Sequence, residues 1–335
     1  MFQENCSDPF LMNDPLIADF LHRAGLGTPA RMEPLSGGVS SDIWRVELPG
    51  AKVCVKRALP RLRVAQVWEA PIERNRYERQ WMQTAGHAVP GCAPRVLAWD
   101  DAAGLFAMEY VDHPVWKNLL REGRAHPAFA AKVGTSLAAI HAATAGKPDV
   151  ASAFPTDAIF HAIRLEPYLV ATATRQPDLA DTLQRLAQRT AASKRCLVHG
   201  DVSPKNILVA GHGPVFLDAE CAWYGDPAFD LAFCLNHMFL KCVWVPKSRA
   251  AFLQCFDALA AAYLRGVTWE PPAKVEARAA TLLPGLLLGR VDGKSPVEYL
   301  DPAGQELVRR AARALLVRGE TTLLGLRNAW QESST

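Results

Sequence analysis

Residues 197–220 read LVHGDVSPKNILVAGHGPVFLDAE, a stretch whose turn and hairpin signals bring several acidic and amide side chains together. The apolar pair Leu197-Val198 delivers His199-Gly200-Asp201 into a loop, and Ser203-Pro204 keeps that loop from becoming helix by restricting the residue before the proline. Two β-rich runs, Ile207 to Ala210 and Val215 to Leu217, flank Gly211-His212-Gly213-Pro214, which reads as a hairpin with a glycine-bearing loop of about four residues. Setting Ala210 opposite Val215 sets Ile207 opposite Asp218. Asp218 is thereby expected beside Asn206 and Asp201, with Glu220 just past the strand end. Three carboxylates and an amide at one point call for a hard cation such as Mg²⁺, which takes few oxygen ligands from protein and the rest from water and phosphates. In phosphoryl transfer one carboxylate accepts the nucleophile's hydroxyl proton while the metal neutralises charge on the transferring group. Asp201 is the candidate base, and Asn206, Asp218 and Glu220 are the candidate metal ligands.

HGDVSPKN followed by LDAE resembles the catalytic segment of the aminoglycoside phosphotransferase and choline kinase superfamily, whose fold is that of protein kinases, with HGD in place of HRD. The resemblance implies an α+β, two-lobed protein-kinase-like fold. Its parts would be an N-terminal helical segment (1–30), a small β-rich nucleotide-binding N-lobe (31–111) and a larger, mostly helical C-lobe for catalysis and substrate binding (112–335). ATP and Mg²⁺ are the implied cofactors.

Composition agrees with an ordinary globular chain. It has 335 residues, half of them hydrophobic, and a net charge of +3 from 37 basic and 34 acidic side chains. So small an excess gives no argument for nucleic acid or an anionic membrane as partner. The eight cysteines form no CxxC pair and no zinc-ligand spacing, so they read as reduced, buried thiols of a cytoplasmic protein. MFQENCSDPF lacks the basic and apolar regions of a signal peptide. The apolar run Leu231 to Val245 is interrupted by Asn236, His237 and Lys241 and is shorter than the roughly 18 residues a membrane span needs.

Upstream, an amphipathic helix is expected over 14–24, then strands over 31–35, 43–48 and 52–57. Ser36-Gly37-Gly38-Val39-Ser40-Ser41, between the first two strands, can bring backbone N–H groups against phosphates; Gly37, Gly38 and Ser40 are the candidates, against a plain hairpin turn. The resemblance makes Lys56, in VCVKRA, the lysine that pairs with the nucleotide phosphates, as in the kinase VAIK strand. A helix over 70–86 would supply the glutamate that holds it, Glu78 or alternatively Glu73. LFAMEYV resembles the hinge strand, whose backbone near Glu109 to Val111 would meet adenine. Helices are expected over 128–143, 156–173, 179–192, 250–263, 274–283 and, as a pair, 306–327. Tyr224-Gly225-Asp226-Pro227 reads as a turn, and Gly289 to Pro296 as a polar interruption. His141 reads as structural, and Asp230 is the family's expected brace under the catalytic loop.

KRALPRLRVAQVWEAPIERNRYERQWM and LDAECAWYGDPAFDLA resemble methylthioribose kinases, whereas aminoglycoside phosphotransferases usually carry glycine where Glu220 stands. GRVDGKSPVEYL lies where methylthioribose kinases place paired arginines, so Arg290 and Lys294 are the substrate candidates. Two departures matter: the asparagine in SPKN, and Gly289-Arg290 in place of adjacent arginines. The expectation is an ATP-dependent small-molecule kinase acting on a hydroxyl of a sugar or polyol-like acceptor, with no nucleic-acid or membrane partner and with a homodimer left open. An aminoglycoside phosphotransferase and a catalytically weak nucleotide-binding pseudokinase are the alternatives.

Overall fold

A computed structural model of the chain describes residues 14–35, 41–59 and 71–334. The backbone divides into two compact units, Met1–Gln83 with Pro94–Asp112, and Thr84–Ala93 with His113–Thr335.

In the first unit, helix α1 (Pro15–Arg23) starts where Asp14 Oδ1 accepts from the N–H groups of Leu16 and Ile17 at 3.0 and 3.3 Å, a side-chain cap on donors the helix cannot satisfy itself. The sheet comprises β1 (Arg31–Pro34), β2 (Ser41–Leu48), β3 (Ala51–Ala58), β4 (Val96–Asp100) and β5 (Leu105–Glu109), with helix α2 (Arg74–Ala88) between β3 and β4 in sequence. Strand order is β1-β2-β3-β5-β4, and every pairing is antiparallel. Period-two patterning buries Trp44, Val46 and Leu48 of β2 with Ile17, Phe20 and Leu21 of α1 in one core. The expected helix over 70–86 is displaced toward the C-terminus. Arg74 and Asn75 donate to the carbonyls of Pro71 and Ile72 in a preceding turn, and Gly86, with open space where a Cβ would stand, does not stop the helix. Gly37, Gly38 and Ser40 lie outside the described residues.

The second unit contains α3 (Trp116–Arg121), α4 (Pro127–Thr144), α5 (Pro148–Ala153) and α6 (Asp157–Phe160). After α6 the helix widens into a π-helical stretch, His161–Val170, and continues as α7 (Ala171–Arg175); the expected single helix over 156–173 thus has three parts. Helix α8 (Ala180–Ala192), strands β6 (Cys196–Val198), β7 (Ile207–Val209), β8 (Pro214–Phe216) and β9 (Trp223–Gly225), and helices α9 (Pro227–Trp244), α10 (Arg249–Arg265), α11 (Pro272–Asp292), α12 (Pro302–Arg318) and α13 (Leu323–Ser333) complete it. Helix α9 is buried on all sides from Pro227 to Cys242, the pattern of a helix inside a core.

Three further expectations, the hairpin register, the turn at Tyr224 to Pro227 and the interruption at Gly289, differ from the observed backbone. The β7–β8 register is Ile207↔Phe216, Leu208↔Val215 and Val209↔Pro214, because Ala210 and Gly213 exchange backbone hydrogen bonds across a two-residue Gly211-His212 turn. This is a slip of two from the expected pairing, so each side chain keeps its face. Tyr224-Gly225 is strand, paired with Leu197 and Cys196, and Asp226 caps α9. Helix α11 runs on through Gly289-Arg290 to Asp292. A Cβ at Gly289 would lie 2.4 Å from Tyr168 O, so glycine is what lets α11 approach the π-helical stretch.

The seven described cysteines are buried and free. Among the described residues, no helix is long and apolar enough to cross a membrane.

Candidate functional site

In the second unit, β6 ends at Val198 and the chain turns sharply at Gly200, whose φ of 80° lies in the region favouring glycine; a Cβ there would stand 2.7 Å from Cys221 Cβ and from its carbonyl oxygen. Asp230, in the first turn of α9 and fully buried, holds this turn. Its Oδ2 accepts from His199 N and its Oδ1 from Gly200 N, both at 2.8 Å. His141 Nε2 also meets Oδ2, at 3.2 Å, and Tyr263 Oη meets His141 Nδ1 at 2.7 Å. With the tyrosine hydroxyl donating to Nδ1, the His141 proton sits on Nε2 and points at the carboxylate. His141 is therefore a relay that orients Asp230.

His199 ties the loop to the end of the hairpin. Its Nδ1 accepts from Asp201 N at 3.1 Å, which leaves the proton on Nε2 to donate to Leu217 O at 3.1 Å. Burial holds its pKa below the usual histidine value, against the pull of Asp230, Asp201 and Asp218, so the imidazole is neutral. With both ring nitrogens engaged, His199 is a positioning group.

Asp201 is 5 % exposed and meets two cations: Arg164 Nη2 at 2.9 Å and Lys205 Nζ at 3.5 Å. Burial alone would raise its pKa, but Lys205 and Arg164 outweigh burial and hold the carboxyl below the usual range. Asp201 is thus anionic at any physiological pH. Arg164 projects from the π-helical stretch and also donates Nε to Gly200 O at 2.5 Å, a second hold on the loop beside that of Asp230.

Asn206 Nδ2 donates to Asp201 O at 3.1 Å, so the amide oxygen, a hard donor, is the atom left for a cation. Leu217 N donates to Asn206 O at 2.9 Å, which brings Asp218 alongside Lys205 and Asn206. Asp218 has φ 66°, a backbone state that costs a non-glycine residue roughly 1–3 kcal/mol and that accumulates at functional sites. Its charge acts on Asp201, His199 and Lys205 alike. The expected meeting of three carboxylates is not found: among the described residues no group of three or more His, Cys, Asp or Glu is gathered for a metal. Two neighbouring carboxylates and an amide oxygen still suit Mg²⁺, which takes only one or two protein carboxylates and keeps water or phosphate for the rest.

Within the first unit, Lys56 on β3 and Glu78 on α2 form a buried ion pair at 2.7 Å, their side chains 3 % and 1 % exposed. Glu73, the alternative, is exposed. Lys56 lies between Ile43 and Phe106 in the sheet register. At the end of β5 the N–H groups of Glu109 and Tyr110 donate to Arg95 O and Lys52 O.

Arg290 lies on the inner side of α11, its Nη1 donating to Tyr168 Oη at 2.9 Å and to Ser295 O at 2.6 Å. Lys294 is turned elsewhere, onto Glu166 at 2.6 Å. The sequence reading missed Arg164 and Lys205, and it used His237 and Lys241 only as interruptions of an apolar run. A usable signal existed for the last two, since ionisable residues four apart in a largely apolar helix share one face.

A family model described as the phosphotransferase enzyme family matches residues 31–241. Methylthioribose kinase from Yersinia enterocolitica (serotype O:8 / biotype 1B) is 28 % identical over 223 residues, covering 58 % of this chain and 56 % of that enzyme, so the match spans little more than half the relative's length. Methylthioribose kinase from Yersinia pseudotuberculosis (serotype IB) is 25 % identical over 317 residues, 78 % of each chain. Among solved structures, a choline/ethanolamine kinase family protein from Mesorhizobium loti superposes with a TM-score of 0.54 at 17 % identity, covering 95 % of this chain and 97 % of that one. An amicoumacin kinase in complex with AMP-PNP, Ca²⁺ and Ami gives 0.54 at 14 % identity, covering 92 % and 95 %. These structures share the fold, which is α+β and protein-kinase-like.

Proposed function

The chain belongs to the phosphotransferase enzyme family, and from that premise we propose that it is an ATP-dependent small-molecule kinase that phosphorylates a hydroxyl of a sugar or polyol-like acceptor. The observation that carries this reading is the clamped loop. Asp230 and Arg164 together fix Gly200-Asp201, and the same loop presents an anionic Asp201 beside Asn206 and Asp218. In this reading Asp201 orients the acceptor hydroxyl and receives its proton as the oxygen bonds to the γ-phosphorus; the β–γ bridge bond breaks and ADP leaves. Asn206 and Asp218, with Glu220 nearby in sequence, would hold Mg²⁺, whose charge would neutralise the phosphate oxygens when bound. Lys56, kept extended by Glu78, would pair with nucleotide phosphates, and the backbone of Glu109 to Val111 would meet adenine. The similarity to methylthioribose kinases supports a sugar-like acceptor, while the basic groups around Arg290 are ill suited to a polycationic aminoglycoside.

The test is ATP consumption against a panel of sugars and polyols, methylthioribose included, with and without Mg²⁺. Asp201→Asn is expected to lower kcat by about 10²- to 10⁴-fold with ATP affinity retained, the range for one positioned proton acceptor. Undiminished turnover in that variant would overturn the assignment.

A further inference from the structure

Five residues in the second unit form a basic cluster that the catalytic loop does not use. His237 and Lys241 stand one turn apart on α9, Lys117 on α3, Arg290 on α11, and Tyr299 on the segment after α11. Lys241, 1 % exposed, lies over the stacked rings of Trp244 and Tyr299, its ammonium 4.2 and 3.8 Å from their centres; Lys117 lies over the Tyr299 ring at 5.4 Å. Three buried polar atoms here have no protein partner among the described residues: His237 Nε2, Arg290 Nε and Tyr299 Oη. His237 is 5 % exposed, so its orphaned nitrogen is deep in the fold. An unsatisfied buried polar atom is costly, and three hydrogen-bonding atoms beside the amino groups of Lys117 and Lys241 describe a receptor for negative oxygen.

The cluster is continuous with the catalytic loop through side chains of the same unit. Arg164, paired with Asp201, lies over the Tyr168 ring at 5.9 Å, and Tyr168 Oη accepts from Arg290. Arg164 also lies over the Phe233 ring, which packs edge-on against His237 at 5.5 Å. Lys205 feels both Asp201 and His237.

Resting on the kinase reading above, we propose that the acceptor is an anion: a small hydroxylated molecule bearing a carboxylate or a phosphate ester, whose oxygens are received by Lys241, His237, Arg290, Lys117 and Tyr299 while its hydroxyl addresses Asp201. The opposing carboxylate is Glu298, which pairs with Lys117 and whose single charge also acts on Lys241 and Arg290, so one carboxylate faces four basic side chains. The charge state supports this. Burial pushes Lys241 down to about 6, with Lys117 and Arg290 acting the same way and Glu298 against them. Burial, then Arg290, Lys241, Lys205 and Lys117, keeps His237 well below its usual value. An arriving oxyanion reverses the balance for Lys241, so at neutral pH it binds together with a proton.

The experiment is calorimetric titration of the full chain, its nucleotide site saturated with Mg²⁺ and a non-hydrolysable ATP analogue, with matched pairs: glycerol and glycerate, glucose and gluconate, glucose and glucose 6-phosphate. Saturable binding is expected from acids and not from their neutral partners, and the carboxylate and phosphate arms identify the head group. Lys241→Met and Arg290→Gln should each weaken anion binding at least roughly tenfold, the loss of a charge-assisted hydrogen bond. Buffers of different ionisation enthalpy should reveal proton uptake near pH 7 that Lys241→Met abolishes. Neutral compounds binding as tightly as the acids, no acid binding at all, or anion affinity indifferent to both variants would overturn the proposal. ADP release is measured in parallel. Anion binding without ADP from any acceptor defeats the kinase reading alone, and turnover of neutral acceptors in preference to acids defeats the anion inference alone.

Discussion

At the scale of single residues, the catalytic loop depends on backbone geometry as much as on its charged groups. Gly200→Ala forces a Cβ to within 2.7 Å of Cys221 and demands a left-handed φ, a strain of roughly 1–3 kcal/mol before the clash is counted. It is expected to lower both the melting temperature and kcat, whereas Gly211→Ala, with open space at its Cβ, should change stability by no more than about 0.5 kcal/mol. Equal melting temperatures for the two variants would refute this account of the turn. Asp201, Asn206 and Asp218 were legible in the sequence because a short loop and a hairpin fix their spacing. Arg164 was not: it reaches Asp201 from 37 positions upstream, on a helical stretch whose π turns break the 3.6-residue period by which a facing side is read.

At the scale of elements, β3 and α2 are joined by a charge pair that is too buried to be a surface ornament. Removing one partner of such a pair leaves an uncompensated ion and costs about 3–5 kcal/mol, whereas removing both can approach neutrality. Lys56→Met and Glu78→Leu should therefore each be strongly destabilising in urea unfolding, and the double variant should be much less destabilised than their sum. Additive losses would show that the two side chains are stabilised independently. The strands were legible from apolar alternation and the helices from their caps, but ends and registers were less so. The β7–β8 register differs by two from the one a four-residue loop implies, because Gly211-His212 closes a tighter turn. Helix α11 extends past the expected end at residue 283 and into the stretch that reads as a polar interruption, because Gly289 permits close packing against Tyr168.

At the scale of the whole molecule, three buried basic groups set the response to pH. His199, His237 and Lys241 all have folded pKa values below their ordinary ones, burial being the first cause for each. The unfolded chain then binds more protons than the folded one between the folded and unfolded pKa values, so stability rises with pH through that window. The melting temperature should climb between pH 5 and pH 8, and Lys241→Met should flatten the part of the rise above pH 6. A flat profile in the parent protein would mean that these groups titrate normally. The brace beneath the catalytic loop carries a different consequence. Asp230 is oriented by His141 from α4, which Tyr263 from α10 holds in turn, while every candidate catalytic group of this unit lies before residue 221 and the family match stops at residue 241. The smallest excisable catalytic module therefore extends at least to Tyr263: a fragment cut at the end of the recognisable family region would keep every residue that does chemistry and lose the support that aims them.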